Sequence, residues 1–193
     1  MILLIDNYDS FSYNLVQLIG GLCKKNGGEE IKVIRNDELT VKEIEDLNPS
    51  RIILSPGPGR PADAGVCEDV VKQLKGKVKI LGVCLGHQGI CESFGGNIIY
   101  AKVLMHGKQS EVKIDNTVQI FKGLPEKVNV ARYHSLAVEK STLPEELQVI
   151  AEDDTGEVMA VKHRDYEIYG LQFHPESVLT PDGAVMMKNF LFE

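Results

Sequence analysis

Short apolar runs alternating with amphipathic segments constrain the first half of this chain more than any other feature. Residues 2–5, 30–35, 51–55 and 79–83 read as strands. Between them, the pattern predicts a helix starting at a cap on Ser10 or Ser12 and running to about Lys25. Shorter helices follow over residues 41–47 and 68–74. Strands alternating with helices imply right-handed βαβ units and a parallel sheet. Past about residue 95 the pattern changes to short strand-like runs separated by turns, at residues 97–104, 111–114, 127–131, 147–152, 158–162 and 168–173. That spacing is typical of antiparallel pairs extending a mixed sheet. A helix over residues 182–192 closes the chain, and there is no repeat, low-complexity tract or linker. The expectation is one α/β domain over residues 1–193, with a mostly parallel central sheet flanked by helices and an added antiparallel region in the C-terminal half.

Charge and cysteine usage narrow the functional classes. With 21 Lys+Arg against 28 Asp+Glu, the formal net charge is -7, which argues against nucleic acid or an anionic membrane as the main partner. The apolar run at residues 2–5 is broken by Asp6, so it reads as a buried strand rather than a secretory signal. No segment approaches the roughly 20 apolar residues that cross a bilayer. Cys23, Cys67, Cys84 and Cys91 form no C-x-x-C pair and are expected as reduced thiols, which makes the cytoplasm the expected compartment. The five histidines show no metal-ligand spacing, so neither a metal nor a cofactor is expected.

Chemistry concentrates at Gly82-Val83-Cys84-Leu85-Gly86-His87-Gln88. A buried strand ends at Cys84 and a helix begins at once, with glycines two residues before and two after the cysteine. This is the pattern of a nucleophile elbow with cysteine in place of serine. The turn forces its central residue into a strained backbone conformation. A helix N-terminus favours the thiolate, and the amide of Leu85 is left free to stabilise an oxyanion. Read alone, a cysteine at a strand end is also a small buried hydrophobe; the paired glycines and the helix start favour the nucleophile. Cys91, Cys23 and Cys67 read as structural.

A cysteine nucleophile needs a histidine, and the histidine needs an orienting acceptor. Among His87, His106, His134, His163 and His174, the best candidate is His174, in Gln172-Phe173-His174-Pro175-Glu176. Pro175 biases His174 toward an extended conformation, where residues two apart project to the same side and Glu176 can hold the imidazole. His163 lies in a polar turn and is expected to be solvated. His87, inside the elbow helix, is expected to pack or cap. On the sequence alone Gln88 reads as exposed in the first turns of that helix, and Pro56-Gly57-Pro58-Gly59 as a tight loop.

The elbow, the Ser55-Pro56-Gly57-Pro58-Gly59 loop and the Gln172–Ser177 segment together resemble the triad-type, class I glutamine amidotransferases. The resemblance extends over essentially the whole chain, from Asp6-Asn7-Tyr8-Asp9-Ser10-Phe11 to Lys188-Asn189-Phe190. Met105-His106-Gly107-Lys108 and Arg132-Tyr133-His134-Ser135-Leu136 are similar to the branch serving anthranilate and aminodeoxychorismate synthases. The resemblance implies that Cys84 attacks the carboxamide of glutamine, that His174 shuttles the proton, and that Glu176 orients His174. It implies an oxyanion hole from the N–H groups of Leu85 and Gly57, in a loop where Pro58 cannot donate and Gly59 is the other candidate. Gln88, Ser135 and Leu136 would hold the amino-acid end of glutamine. It also implies a partner chain, a chorismate-using synthase making anthranilate, or alternatively aminodeoxychorismate, to which the ammonia passes. His106 and Lys108 read equally as part of that interface or as a plain surface loop. The competing readings are a cysteine hydrolase of another specificity and a regulatory chain without catalytic activity.

Overall fold

The first strand, β1 (Ile2–Asp6), is apolar at four consecutive positions because both of its faces are covered. Ile2 and Leu4 enter one hydrophobic cluster, Leu3 and Ile5 the other. The computed structural model describes residues 1–193. In chain order, β1 is followed by α1 (Ser12–Asn26), β2 (Ile31–Arg35), α2 (Val41–Asp46), β3 (Arg51–Leu54), α3 (Cys67–Leu74), β4 (Lys79–Val83) and α4 (Leu85–Ser93). Then come β5 (Ile98–Tyr100), β6 (Lys108–Ile114), β7 (Lys127–Arg132), β8 (Leu136–Val138), β9 (Leu147–Asp153), β10 (Val158–His163), β11 (Ile168–Leu171) and α5 (Gly183–Phe192). No helix is long and apolar enough to cross a membrane.

Nine strands form one mixed sheet in the order β2-β1-β3-β4-β11-β10-β9-β6-β7. From β2 through β11 neighbours run parallel; beyond β11 they are antiparallel. Helices α1 and α5 cover one face, while α2, α3 and α4 cover the other. The fold is thus the α/β arrangement expected, a parallel half extended by an antiparallel half.

Local differences have physical causes. Neither Ser10 nor Ser12 caps α1: Ser12 Oγ instead donates to the buried Asp6 carboxylate at 2.6 Å, and Asp9 accepts the Phe11 N–H at 2.7 Å. The long strand expected over residues 97–104 is only β5, which pairs with β8 in a separate two-stranded sheet. The rest of that stretch and the residues up to Gly107 form a loop tied to the end of β7 and the segment after it, through Ala101 N–H to Ser135 O (2.9 Å), Met105 N–H to His134 O (3.1 Å) and Gly107 N–H to Arg132 O (3.0 Å). The run at 168–173 yields β11, which is antiparallel to β10 but inserts parallel to β4. That insertion sets the site, because two parallel neighbours end at the same edge of the sheet.

Candidate active site

Cys84 follows directly on β4 and precedes α4, with φ 52° and ψ −102°. Positive φ is strained for a residue with a Cβ, and such strain persists only where the surroundings over-determine it. They do so here through two close approaches. A Cβ on Gly82 would collide with the Gly86 carbonyl, and one on Gly86 with the Leu54 carbonyl. The strand-to-helix reversal therefore requires both glycines. Leu85 opens α4, so its N–H has no preceding turn to bond to.

The register between β4 and β11 pairs Leu171 with Val83, and the Cys84 N–H donates to Leu171 O at 2.8 Å. The chain leaving β11 therefore runs beside the cysteine. His174 is extended, with its N–H on Ala131 O at 3.0 Å and its carbonyl accepting the Thr180 hydroxyl at 2.7 Å. Its Nδ1 lies 2.6 Å from Glu176 Oε1, with both side chains almost fully buried. Nε2 is buried with no hydrogen-bond partner. Burial disfavours the charged ring, but the neighbouring Cys84 and Glu176 outweigh it and push His174 up to about 10. Tyr133 packs edge-on against the imidazole at 5.0 Å between centroids.

A cavity of about 180 Å³ opens over Cys84. Gly57, Pro58, Gly59, Leu85, Gln88, Ser135 and Leu136 all line it, joined by His106, Tyr133 and His134, which the sequence had not assigned to substrate. The space is below the range of drug-sized sites and suits a small polar molecule. A second, larger cavity of about 510 Å³ is lined by His174 and Glu176 together with Phe11, Leu18, Tyr133 and Val178. The 55–59 loop is braced from beneath: Asn7 Nδ2 donates to Ser55 O and the Asn7 N–H to Ser55 Oγ, both at 2.8 Å. Gly57 rests on Asn7 and Leu85, so closely that a Cβ there would sit 2.5 Å from Asn7 Cβ and 2.8 Å from Leu85 Cδ2. No acceptor takes the Gly57 N–H.

One histidine environment and one glutamine correct the reading of exposure, while the packing expected of His87 is what the structure has. His163, expected in solvent, is 3% exposed, its ring stacked between Phe94 and Tyr166, and its Nδ1 accepts the Asp165 and Tyr166 N–H groups. A polar tetrapeptide hides this, because the rings that cover His163 come from the end of α4 and from the following turn. His87 is fully buried, and burial holds it down to about 3. Gln88 is 3% exposed, facing the cavity rather than bulk water. No group of three or more His, Cys, Asp or Glu side chains gathers as a metal site.

Known proteins resemble this chain throughout. The family model described as glutamine amidotransferase class-I matches residues 3–193. The chain is 49% identical over 191 residues to the aminodeoxychorismate/anthranilate synthase component 2 of Bacillus subtilis, covering 99% of this chain and 95% of that protein. It is 51% identical over 193 residues to the bifunctional protein TrpGD of Thermotoga maritima, of whose length it spans only 32%. Among solved structures, a Thermoplasma acidophilum protein described as part of a GMP synthase superposes with a TM-score of 0.84 at 25% identity, covering 98% of this chain and 91% of that one.

Proposed function

The chain belongs to the class I glutamine amidotransferases, and from that premise we propose that it hydrolyses glutamine and passes the ammonia to a separate chorismate-using synthase, in the first instance one making anthranilate. The observation that carries the reading is the cavity over Cys84. It joins a strained, helix-capping cysteine and two unpaired backbone N–H groups around a volume suited to one amino acid, and the cysteine neighbours an imidazole held by a buried carboxylate.

In this reading Cys84 passes its proton to His174 and attacks the carboxamide carbon of glutamine. The carbonyl oxygen becomes an oxyanion facing the N–H groups of Leu85 and Gly57. Gly57 suits this role better than Gly59, because it packs against Leu85, whose N–H is the other donor, while a Cβ on Gly59 would meet nothing within 4 Å. Each such donor is worth about 10²–10³ in rate. His174, protonated and steadied by Glu176, gives its proton to the departing ammonia, and a glutamyl thioester remains. Water activated by the same imidazole then releases glutamate and restores the thiol. Gln88, Ser135 and Leu136 hold the amino-acid end of the substrate.

Ammonia released to water at neutral pH takes up a proton and loses its nucleophilicity. A partner that receives it directly makes the reaction useful, so the working form is a hetero-oligomer in the cytoplasm. Support for a chorismate-using partner comes from the naming of the Bacillus relative, which covers both anthranilate and aminodeoxychorismate synthases. Aminodeoxychorismate is the second reading on the same ground.

The test reconstitutes the chain with a candidate synthase and chorismate. Cys84→Ala is expected to abolish product formation from glutamine while added ammonium still supports it; equal loss of both would sink the proposal. Chromatographic identification of the product separates anthranilate from aminodeoxychorismate.

A further inference from the structure

Gln172 carries no role in the mechanism above, yet it is fully buried one residue past β11, where the pairing of Leu171 with Val83 sets it beside Cys84. Its N–H is anchored on Met159 O at 2.9 Å. Its side-chain Nε2 lies 3.7 Å from Cys84 Sγ, and its Oε1 lies 3.1 Å from Gln88 Nε2. We propose that Gln172 couples substrate recognition to the nucleophile: its amide N–H donates to the Cys84 sulfur, while its carbonyl locks Gln88 with its own oxygen turned into the cavity. The assignment rests on the glutaminase reading and adds a residue to it.

The two ends of a side-chain amide are told apart by their partners, and here the chemistry leaves one solution. The Leu136 carbonyl can only accept, so the end of Gln88 that lies 3.0 Å from it is the NH₂ group. The second hydrogen of that NH₂ points to Gln172, which must present its oxygen. Only the NH₂ of Gln172 is then left to face the sulfur. On Gln88, Oε1 alone stays unpaired, on a residue lining the cavity.

The Leu136 carbonyl is itself held in place. His134 Nδ1 lies 2.8 Å from it, and His134 Nε2 lies 3.0 Å from Nε of Arg132. Arginine only donates, so Nε2 accepts and Nδ1–H donates. Burial first, then the Arg132 charge, holds His134 down to about 4, which keeps the ring neutral and this tautomer fixed. Arg132 is in turn balanced by Asp153 and Glu157. Each hydrogen bond between the buried guanidinium and the sulfur thus has a fixed donor, with the Leu136 carbonyl accepting from both His134 and Gln88. An N–H on a charged acceptor is about twice as strong as on a neutral one, so the Gln172 bond strengthens when Cys84 becomes the attacking thiolate.

Gln172→Met keeps the volume and removes both donor and acceptor. In the reconstituted complex, kcat for glutamine is expected to fall about tenfold or more and KM to rise several-fold, with ammonium-dependent synthesis unchanged. Alkylation of Cys84 by iodoacetamide, read on its own peptide by mass spectrometry at neutral pH, is expected to slow about tenfold. A residue that merely fills space would leave alkylation and kcat within about twofold, and that result overturns the proposal. Should Gln172→Met not fold, the unmutated residue answers instead: in ¹⁵N-glutamine-labelled protein, the Gln172 side-chain amide resonance is expected to move on Cys84→Ala, and an unmoved resonance overturns it. Absence of glutaminase activity in the wild-type complex would sink the underlying reading; an active wild type with an unimpaired Gln172→Met sinks the Gln172 assignment alone.

Discussion

Gly57 shows how little freedom the site leaves to a single residue. It lies between Asn7 and Leu85 with no room for a methyl group, so Gly57→Ala must push the 55–59 loop away from Cys84. Overpacking of this kind costs about 1–3 kcal/mol, and a displaced oxyanion donor lowers rate by about 10²-fold or more. We expect kcat for glutamine to fall by that order while the melting temperature drops only a few degrees. Wild-type kinetics in Gly57→Ala would remove the N–H of residue 57 from the oxyanion hole. The Pro-Gly-Pro-Gly stretch was readable as a stiff loop, and the elbow glycines as a tight reversal, because both are properties of local backbone. The burial of Gln88, Gln172 and His163 was not readable. Each is polar in sequence and is buried by packing that the local pattern does not reveal.

Among the elements, α3 and α4 carry a pH-sensitive contact. Glu92 on α4 lies beside Glu68 on α3, and each carboxyl has one buried oxygen without a partner. Burial first, and then the neighbouring Glu68, raises Glu92 to about 7. A carboxyl raised in the folded state favours folding while protonated. That contribution is complete below the ordinary carboxylate range near 4.5 and is lost as pH rises through about 7. Glu92→Gln should therefore leave the melting temperature unchanged near the lower limit and raise it above the upper one. Thermal scans across that window check it, and a pH-independent difference would count against the contact. The strand and helix order of the first half follows from its periodicity. The parallel placement of β11 does not, since an apolar run looks the same whichever neighbour it pairs with.

At the scale of the whole molecule, the buried cation Arg132 ties the antiparallel half together. It is 2% exposed and bridges Asp153 at 2.7 Å and Glu157 at 2.5 Å; Glu157 also accepts the Lys102 N–H of the loop that carries His106. Removing one partner of a buried ion cluster strands the others, at about 3–5 kcal/mol. Arg132→Met is expected to lose that much in urea unfolding, and a loss below about 1 kcal/mol would mean that the cluster relaxes into water. By itself, the sequence determined the α/β class, the elbow at Cys84 and the His174–Glu176 pair, because periodicity, glycine spacing and proline act over a few residues. Tertiary structure alone decided that β11 lies beside β4, that Gln172 meets Cys84, and that His134 and Arg132 stand behind the cavity. Those contacts join residues far apart in the chain, and only the register of the assembled sheet sets which of them meet.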